Sequence, residues 1–447
     1  MIYMTLIKKA YEILQEHVLC DICLGLLFGS LATNTTNKKR GFSIKLILTM
    51  EMHSKILNES AVDDAKKTLL SIAKSGFLPA KSLLLKLYGL SNISEEKCYL
   101  CEDLFKKLDF YASLVDQRLK ESNIEFNSFQ IASKISSNIL VRAEELKSRF
   151  ELPWAESFKK VFNRELGKLV QKKINKSVII NSSDILINVD TIKNKISFSI
   201  KSVYIYGFYK KLIRGIPQST WGKHKLKDEK PYPTSIEELL KNVIMPIFEG
   251  DDVVLHAAGR EDIDARMLGK GRPCVIEIKS PKKRSVELDA LESIINSELK
   301  NILNVKLVSY VNKEFLVRLK EKGEKTKKVY YAIVELGRNI TKDELRLLED
   351  VFSNRIIVQK TPLRVLHRRG DKIRHKKVYK LTVMKHNQNI IELKIITQGG
   401  LYVKELISGD NGRTSPSIAE ILNTNAKCLI LDVLDVIMED DSYGEKE

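Results

Sequence analysis

Residues Gly259 to Gly269 read GREDIDARMLG. Two carboxylates, Asp262 and Asp264, stand two residues apart, with Arg260 and Arg266 flanking them. The mostly apolar run Val253–Ala258 precedes the stretch and the run Cys274–Ile278 follows it. Each has the length and composition of a buried strand. A charged segment caught between two such strands is expected on a loop at a sheet edge. Charge patterning by itself leaves a metal-dependent nuclease, an isomerase and a plain structural loop open.

The chain has 447 residues, enough for two or three domains and a sizeable core. With 43% hydrophobic and 30% charged residues it is composed like an ordinary globular protein, which sets disorder aside as the starting expectation. The net charge of +18 points to a polyanionic partner, nucleic acid before membrane. The apolar segment Val18–Leu31 is interrupted by Cys20, Asp21 and Cys23 and is too short to span a bilayer, so no signal peptide or membrane span is expected. Six cysteines in so long a chain do not make a disulfide framework, and a reducing, cytoplasmic location is the expectation.

Leu6, Ala10, Ile13 and Leu14 recur at helical spacing ahead of Cys20-Asp-Ile-Cys23. A second pair, Cys98-Tyr-Leu-Cys101, lies well downstream. Each two-residue spacer makes a tight knuckle that aims both sulfurs at one ion, and four thiolates form a tetrahedron suited to Zn²⁺. Its role would be structural, because four protein ligands leave no position for water or substrate. Helices are expected over Asp63–Tyr88 and Glu102–Leu119, and a strand pair within Phe126–Val141. Ala155–Lys172 reads as a helix with Phe158, Phe162, Leu166 and Leu169 on one face and Lys and Arg on the other. Ile179–Val189 and Lys195–Tyr206 alternate like strands.

At Gly207–Trp221 the text becomes GFYKKLIRGIPQSTW, mixing Lys210, Lys211 and Arg214 with Tyr209 and Trp221. Basic residues interleaved with aromatics suit phosphate contact with base or ribose stacking. Lys223–Pro233 is a polar, Pro-punctuated loop, and Ser235 with Glu238 matches a capping box that opens a helix. Beyond the opening stretch, helices and strands alternate in an α+β mix. Within it lie the basic run KTPLRVLHRR (Lys360–Arg369), two long strands (Arg374–Met384 and Asn389–Thr397), and QGGLYVKEL (Gln398–Leu406), which turns from glycines into a helix. A final apolar strand, Lys427–Met438, leads to an acidic tail, Glu439–Glu447, expected to be disordered.

Four of these stretches in this order resemble the Pus-ten family of tRNA pseudouridine synthases, in its archaeal form. They are GFYKKLIRGIPQSTW, GREDIDARMLG with the following GRPCVIEI, KTPLRVLHRR, and TQGGLYVKEL with GDNGRTSP. CDICLGLLFG and FNRELGK (Phe162–Lys168) extend the likeness into the N-terminal half at lower density. The resemblance implies, over residues 200–447, a catalytic domain of the pseudouridine synthase fold: a mixed, mainly antiparallel sheet with helices around a central cleft. Over residues 1–199 it implies an accessory α/β RNA-binding domain with the zinc site and a THUMP-like module. The implied substrate is tRNA, at the adjacent uridines of the TΨC loop, with no cofactor in the chemistry. No protein partner or membrane is implied, and a monomer is the default.

Isomerising uridine breaks an N-glycosidic bond, turns the base and rejoins C5 to the ribose. A carboxylate suits this because it can form and release a covalent adduct. Asp262 completes Gly-Arg-x-Asp, which resembles the family's catalytic loop, and is the expected nucleophile with Asp264 as fallback. By the same resemblance Lys404 is the cation that pairs with the aspartate. Tyr330 is the ring against the uracil, and Val403 and Leu431 wall the pocket. Tyr331 has the opposite strand face, so a one-residue slip would exchange the two tyrosines. Arg260, Lys210, Arg214, Arg364, Arg368 and Arg369 are expected to hold tRNA. Two other readings compete. One is a nuclease in which Asp262 or Asp264 joins Glu277 and Lys279 around a metal ion. The other is a tRNA-binding protein without turnover.

Overall fold

The computed structural model describes residues 6–220, 232–323 and 326–437. Trp221, the loop residues 223–231 and the acidic tail lie outside the described residues, as does the side chain of Arg368. The chain divides into two compact units, Met1–Lys201 and Ser202–Glu447. Among the described residues no helix is long and apolar enough to cross a membrane.

In the first unit, helices Asp21–Leu27 and Asn37–Leu57 cross on two glycines. A Cβ on Gly25 would lie 1.8 Å from the Asn37 carbonyl oxygen, and one on Gly41 1.9 Å from that of Asp21, so only bare backbone allows the approach. A small sheet follows, built from β1 (Ser128–Lys134), β2 (Ser177–Val178), β3 (Ile185–Asp190) and β4 (Lys195–Ile200) in the order β2-β1-β3-β4. β1 runs parallel to β2 and β3, and β4 antiparallel to β3. Helix Phe158–Ile174 buries Phe158, Phe162 and Leu166, with Val170 completing the stripe where Leu169 was expected. Phe126–Val141 holds one strand, not a pair. After β1 the apolar spacing changes to Ile139, Ala143 and Leu146, which is a helical period, and the chain forms helix Ser137–Arg149.

The second unit is one mixed sheet with helices packed on it. Its strands are β5 (Val203–Lys211), β6 (Asp252–Ala257), β7 (Arg266–Lys279), β8 (Leu303–Val311), β9 (Lys327–Leu336), β10 (Arg355–Gln359), β11 (Arg374–Asn387), β12 (Ile390–Gln398), β13 (Thr414–Ser415) and β14 (Ala426–Ile437). Their order is β13-β10-β11-β12-β9-β14-β7-β5-β8, with β6 also on β7. All pairs are antiparallel except β14 with β7. Helix Ile236–Phe248 packs on β6. Ser235 caps it by accepting from the Glu238 amide at 3.1 Å, and Ile236, Leu240, Ile244 and Phe248 form its sealed stripe. Burial of such side chains stabilises by roughly 1.5–3 kcal/mol each.

The register of β7 decides where the opening stretch goes. Along one edge β7 pairs with β5, from Ile278↔Val203 to Met267↔Lys211. Its other edge is shared. β6 takes Cys274–Lys279, and β14 takes only Arg266 and Met267, in parallel. The loop of residues 258–265 leaves the sheet at the gap between them. It therefore sits in the middle of the sheet, not at the edge that the sequence suggested. Arg266–Gly269 belong to the strand itself. Gly269 is held at φ +61°, where a Cβ would lie 1.8 Å from the Leu434 carbonyl oxygen. That contact needs glycine and keeps β14 against β7.

Candidate active site

A cavity of 1080 Å³ opens at this gap. Its floor is strand register made into surface. Tyr330 on β9 pairs with Val433, and Ala332 pairs with Leu431, so these four residues share one face of the sheet. Tyr330, Leu431 and Val433 line the cavity, as does Val403 at the start of helix Val403–Ser408. Tyr330 is 8% exposed, and burial pushes its phenol up to about 12. Tyr331 points to the opposite face and donates to Glu392 at 2.7 Å.

The two aspartates meet different partners. Arg364, on the 3-10 turn Leu363–Arg368, places Nη2 3.1 Å from Asp262 Oδ2. Lys404 Nζ lies 3.6 Å from the same oxygen. The same ammonium donates to both oxygens of Asp264, at 2.6 and 2.7 Å. Lys404 is thus shared, and the cation nearest Asp262 is Arg364. Glu405 holds Arg364 in turn, accepting from Nε at 2.7 Å. Burial pulls the Arg364 guanidinium down, but its hydrogen bond to Glu405 and the charge of Asp262 outweigh that and keep it above its ordinary value. For Asp264, burial works against the charge, and the Lys404 ammonium prevails, holding the carboxyl below the usual carboxylate range. Asp262 Oδ1 has no partner among the described residues, and the carboxylate lines the cavity. Asp262 thus meets its cations closest at Oδ2 and accepts no hydrogen bond at Oδ1 among the described residues, whereas both Asp264 oxygens accept from Lys404.

Beneath the loop lies a buried polar network that the sequence reading did not single out. Glu261 turns inward, 5% exposed, and accepts from Arg272 Nε and from the Tyr209 hydroxyl, each at 2.9 Å. Gln218 donates to Tyr209 Oη at 2.6 Å and to the Gly259 carbonyl at 3.0 Å. Lys211, fully buried, donates to the carbonyls of Ile216, Asp262 and Ile263 at 3.0–3.1 Å. Tyr209, read from sequence as an RNA-stacking ring, is committed to this network. The available signal was Arg272 itself. A guanidinium inside the buried run of β7 requires a buried acceptor, and the nearest acidic stretch in the chain is GREDIDAR.

Arg214 is likewise taken up internally. It donates to the carbonyls of Asp264 and Leu431 at 2.7 and 2.9 Å and to Asp432 Oδ1 at 2.6 Å. Arg266 meets Asp432 at 2.8 Å, not Asp264. Arg214 and Arg364 thus brace the loop from within. Arg260 and Arg369 are exposed at the cavity, and Lys210 is half-buried on β5. The nuclease constellation does not assemble. Glu277 lies on the far part of β7, 2.8 Å from His256 Nε2, and Lys279 reaches Asp252.

In the first unit, Cys20, Cys23, Cys98 and Cys101 come together with all four sulfurs within 4.8 Å of one another. The Tyr99 amide donates to the Val18 carbonyl at 2.8 Å and ties the two knuckles side by side. Cys20 Sγ and Cys101 Sγ are 3.9 Å apart. Tetrahedral sulfurs about 2.3 Å from one ion would be separated by about 3.8 Å, so the cluster can hold a metal ion.

A family profile described as Pus10, C-terminal, matches residues 204–437, and one described as Pus10 THUMP domain, archaeal, matches residues 111–190. The tRNA pseudouridine synthase Pus10 of Thermofilum pendens is 39% identical over 436 residues, covering 97% of this chain and 96% of the relative. Its counterparts in Ignisphaera aggregans and Pyrococcus furiosus are 38% and 36% identical, covering 96% and 98% of this chain and 99% and 100% of theirs.

The network under the loop makes a stability prediction. Arg272→Met leaves Glu261 buried without its cation and is expected to destabilise the protein by about 3–5 kcal/mol, read as a lowered urea midpoint. A midpoint within error of the parent would show that the pair does not support the loop.

Proposed function

The chain belongs to the Pus10 family of tRNA pseudouridine synthases, and on that premise we propose that Asp262 is the nucleophile that converts uridine to pseudouridine in the TΨC loop of tRNA. The observation that carries this is the division of its carboxylate. Arg364 and Lys404 come closest to Oδ2, Oδ1 accepts no hydrogen bond among the described residues, and the carboxylate lines the cavity.

The two cations orient the carboxylate, with Arg364 Nη2 3.1 Å and Lys404 Nζ 3.6 Å from Oδ2. Attack at ribose C1′ breaks the C1′–N1 bond, and the base leaves with the bonding electrons. The freed base turns, C5 takes C1′ back from the carboxylate, the C5 proton is lost, and N1 gains a proton. No atom is added or removed, so the chemistry needs no redox or group-transfer cofactor. The uridine must leave its stack to reach Asp262. Tyr330 replaces the lost stacking, with Val403 and Leu431 as apolar walls. Both uridines of the TΨC pair are within the proposed scope. Arg260, Arg369 and Lys210 are the cations available for phosphates, and Arg368 is assigned with them on sequence. The THUMP module adds RNA contact from the first unit. Cys20, Cys23, Cys98 and Cys101 hold a structural Zn²⁺ in this reading. A monomer suffices because one chain carries every group named, and the free cysteines suit a reducing cytoplasm.

Asp262→Ala is expected to abolish pseudouridine formation, read by carbodiimide mapping of a transcribed tRNA, with tRNA affinity within about threefold of the parent. Full activity in that variant, with loss in Asp264→Ala, would move the nucleophile to Asp264. For the metal, wild-type protein is expected to contain about one zinc per chain, and Cys20→Ser with Cys98→Ser to lose it and unfold at lower temperature. Metal analysis that finds no zinc in the wild type would remove the assignment.

A further inference from the structure

Among the cavity-lining groups that the mechanism above does not use is Lys328. Lys328 lies on β9 two residues before Tyr330, so both side chains share the cavity face. It is 7% exposed, and its side chain makes no hydrogen bond or ion pair among the described residues. Its Nζ is pressed against the catalytic loop. A Cβ built on Gly259 would lie 3.0 Å from Lys328 Nζ and 3.2 Å from an Arg272 guanidinium nitrogen. Gly259, at φ +83°, is the residue that leaves room for both cations. Three charged groups face Lys328. Arg272 is paired with Glu261 on the loop side, and Lys376 lines the cavity from β11. Burial, then the charge of Arg272, outweigh the attraction of Glu261 and push the ammonium down to about 7.

A lysine only 7% exposed, with no protein acceptor and its outlet to the cavity, is held at some desolvation cost in the empty protein. In a cavity where a neutral base becomes an anion, the same feature is useful. Uridine carries no charge on its ring, but the base released by cleavage at N1 carries a full negative charge spread over N1, O2 and O4. A donor fixed beside that charge binds the departing base more tightly than the substrate, which is the condition for lowering a barrier. We propose that Lys328 is a catalytic residue that donates to a carbonyl oxygen of the flipped-out base and stabilises the uracil anion as the glycosidic bond breaks. It supplies charge and a hydrogen bond, and the proton balance of the isomerisation is unchanged. The inference rests on the reading of Asp262 and its cavity as the uridine site.

Lys328→Met keeps the length and apolar stem of the side chain and removes its donor. Three quantities test the proposal on full-length enzyme with transcribed tRNA. The single-turnover rate of pseudouridine formation should fall by about 10²–10³-fold, the loss seen when one preorganised oxyanion donor is removed. The tRNA Kd should change by less than about threefold. Melting temperature should stay level or rise, because a largely desolvated ammonium with no carboxylate partner has been removed. A residue with only a structural role would move rate and melting temperature down together. A rate within about threefold of wild type overturns the proposal. So does a lowered melting temperature or failure to fold. Wild-type enzyme that makes no pseudouridine would instead overturn the functional reading beneath it, and this inference with it.

Discussion

Glu261 and Arg272 meet at 2.9 Å with both side chains sealed from solvent, and the loop that carries Asp262 and Asp264 is positioned from that contact upward. A buried ion pair is a poor source of net stability, since desolvation opposes attraction. It is an effective source of position, because neither partner can relax toward water. Glu261 points down into Arg272 and Tyr209, so its neighbour Asp262 is carried to the other side of the loop and into the cavity. Lys211 fixes the same segment by its backbone, through the carbonyls of Asp262 and Ile263. The carboxylate is thus oriented before any substrate arrives, which is the condition for electrostatic preorganisation.

The sheet supplies the space for this arrangement. β7 gives one edge to β5 and divides the other between β6 and β14. The gap between those two partners admits the loop, and the face of β9 and β14 forms the floor beneath it. Arg364 and Lys404 come from segments far apart in sequence, each starting just after a strand of the same sheet, β10 and β12. Both reach the loop because their strands end on the side where β7 begins to open. Charge in the cavity is therefore arranged in two levels. Above, Arg364 and Lys404 attend the aspartates. Below, Arg272 and Lys328 press against Gly259.

Much of this was legible in the sequence, for identifiable reasons. The long strands β11 and β12 and the capping residue Ser235 are local signals, whereas the stretch expected as strand over Lys195–Tyr206 is β4 and the start of β5, which runs on to Lys211. CxxC repeated in a chain with six cysteines carries its own geometry, and the four sulfurs do converge. Tyr330 and Lys404 were found by resemblance, and both line or border the cavity; spacing alone would not have chosen them. The misses come from long-range pairing. The two-strand sharing of one β7 edge has no sequence signature, so a mid-sheet loop was placed at an edge. Arg214 and Arg364 look like any exposed basic residues until Asp432 and Glu405 are brought beside them. Lys328 sits in KKVYYAIV next to another lysine, and only the strand register tells which one turns inward. The partition of Lys404 between Asp262 and Asp264 is a matter of about an ångström and cannot be read from residue order.

The central claim is that Asp262 bonds to the ribose during turnover. The peptide Glu261–Arg266, released by trypsin, contains both Asp262 and Asp264. Enzyme quenched in acid during a single turnover with tRNA, digested with nuclease and trypsin, can be sequenced by tandem mass spectrometry. The account predicts a nucleotide adduct on Asp262 that forms and decays as pseudouridine appears. An adduct on Asp264, with Asp262 unmodified, would contradict it.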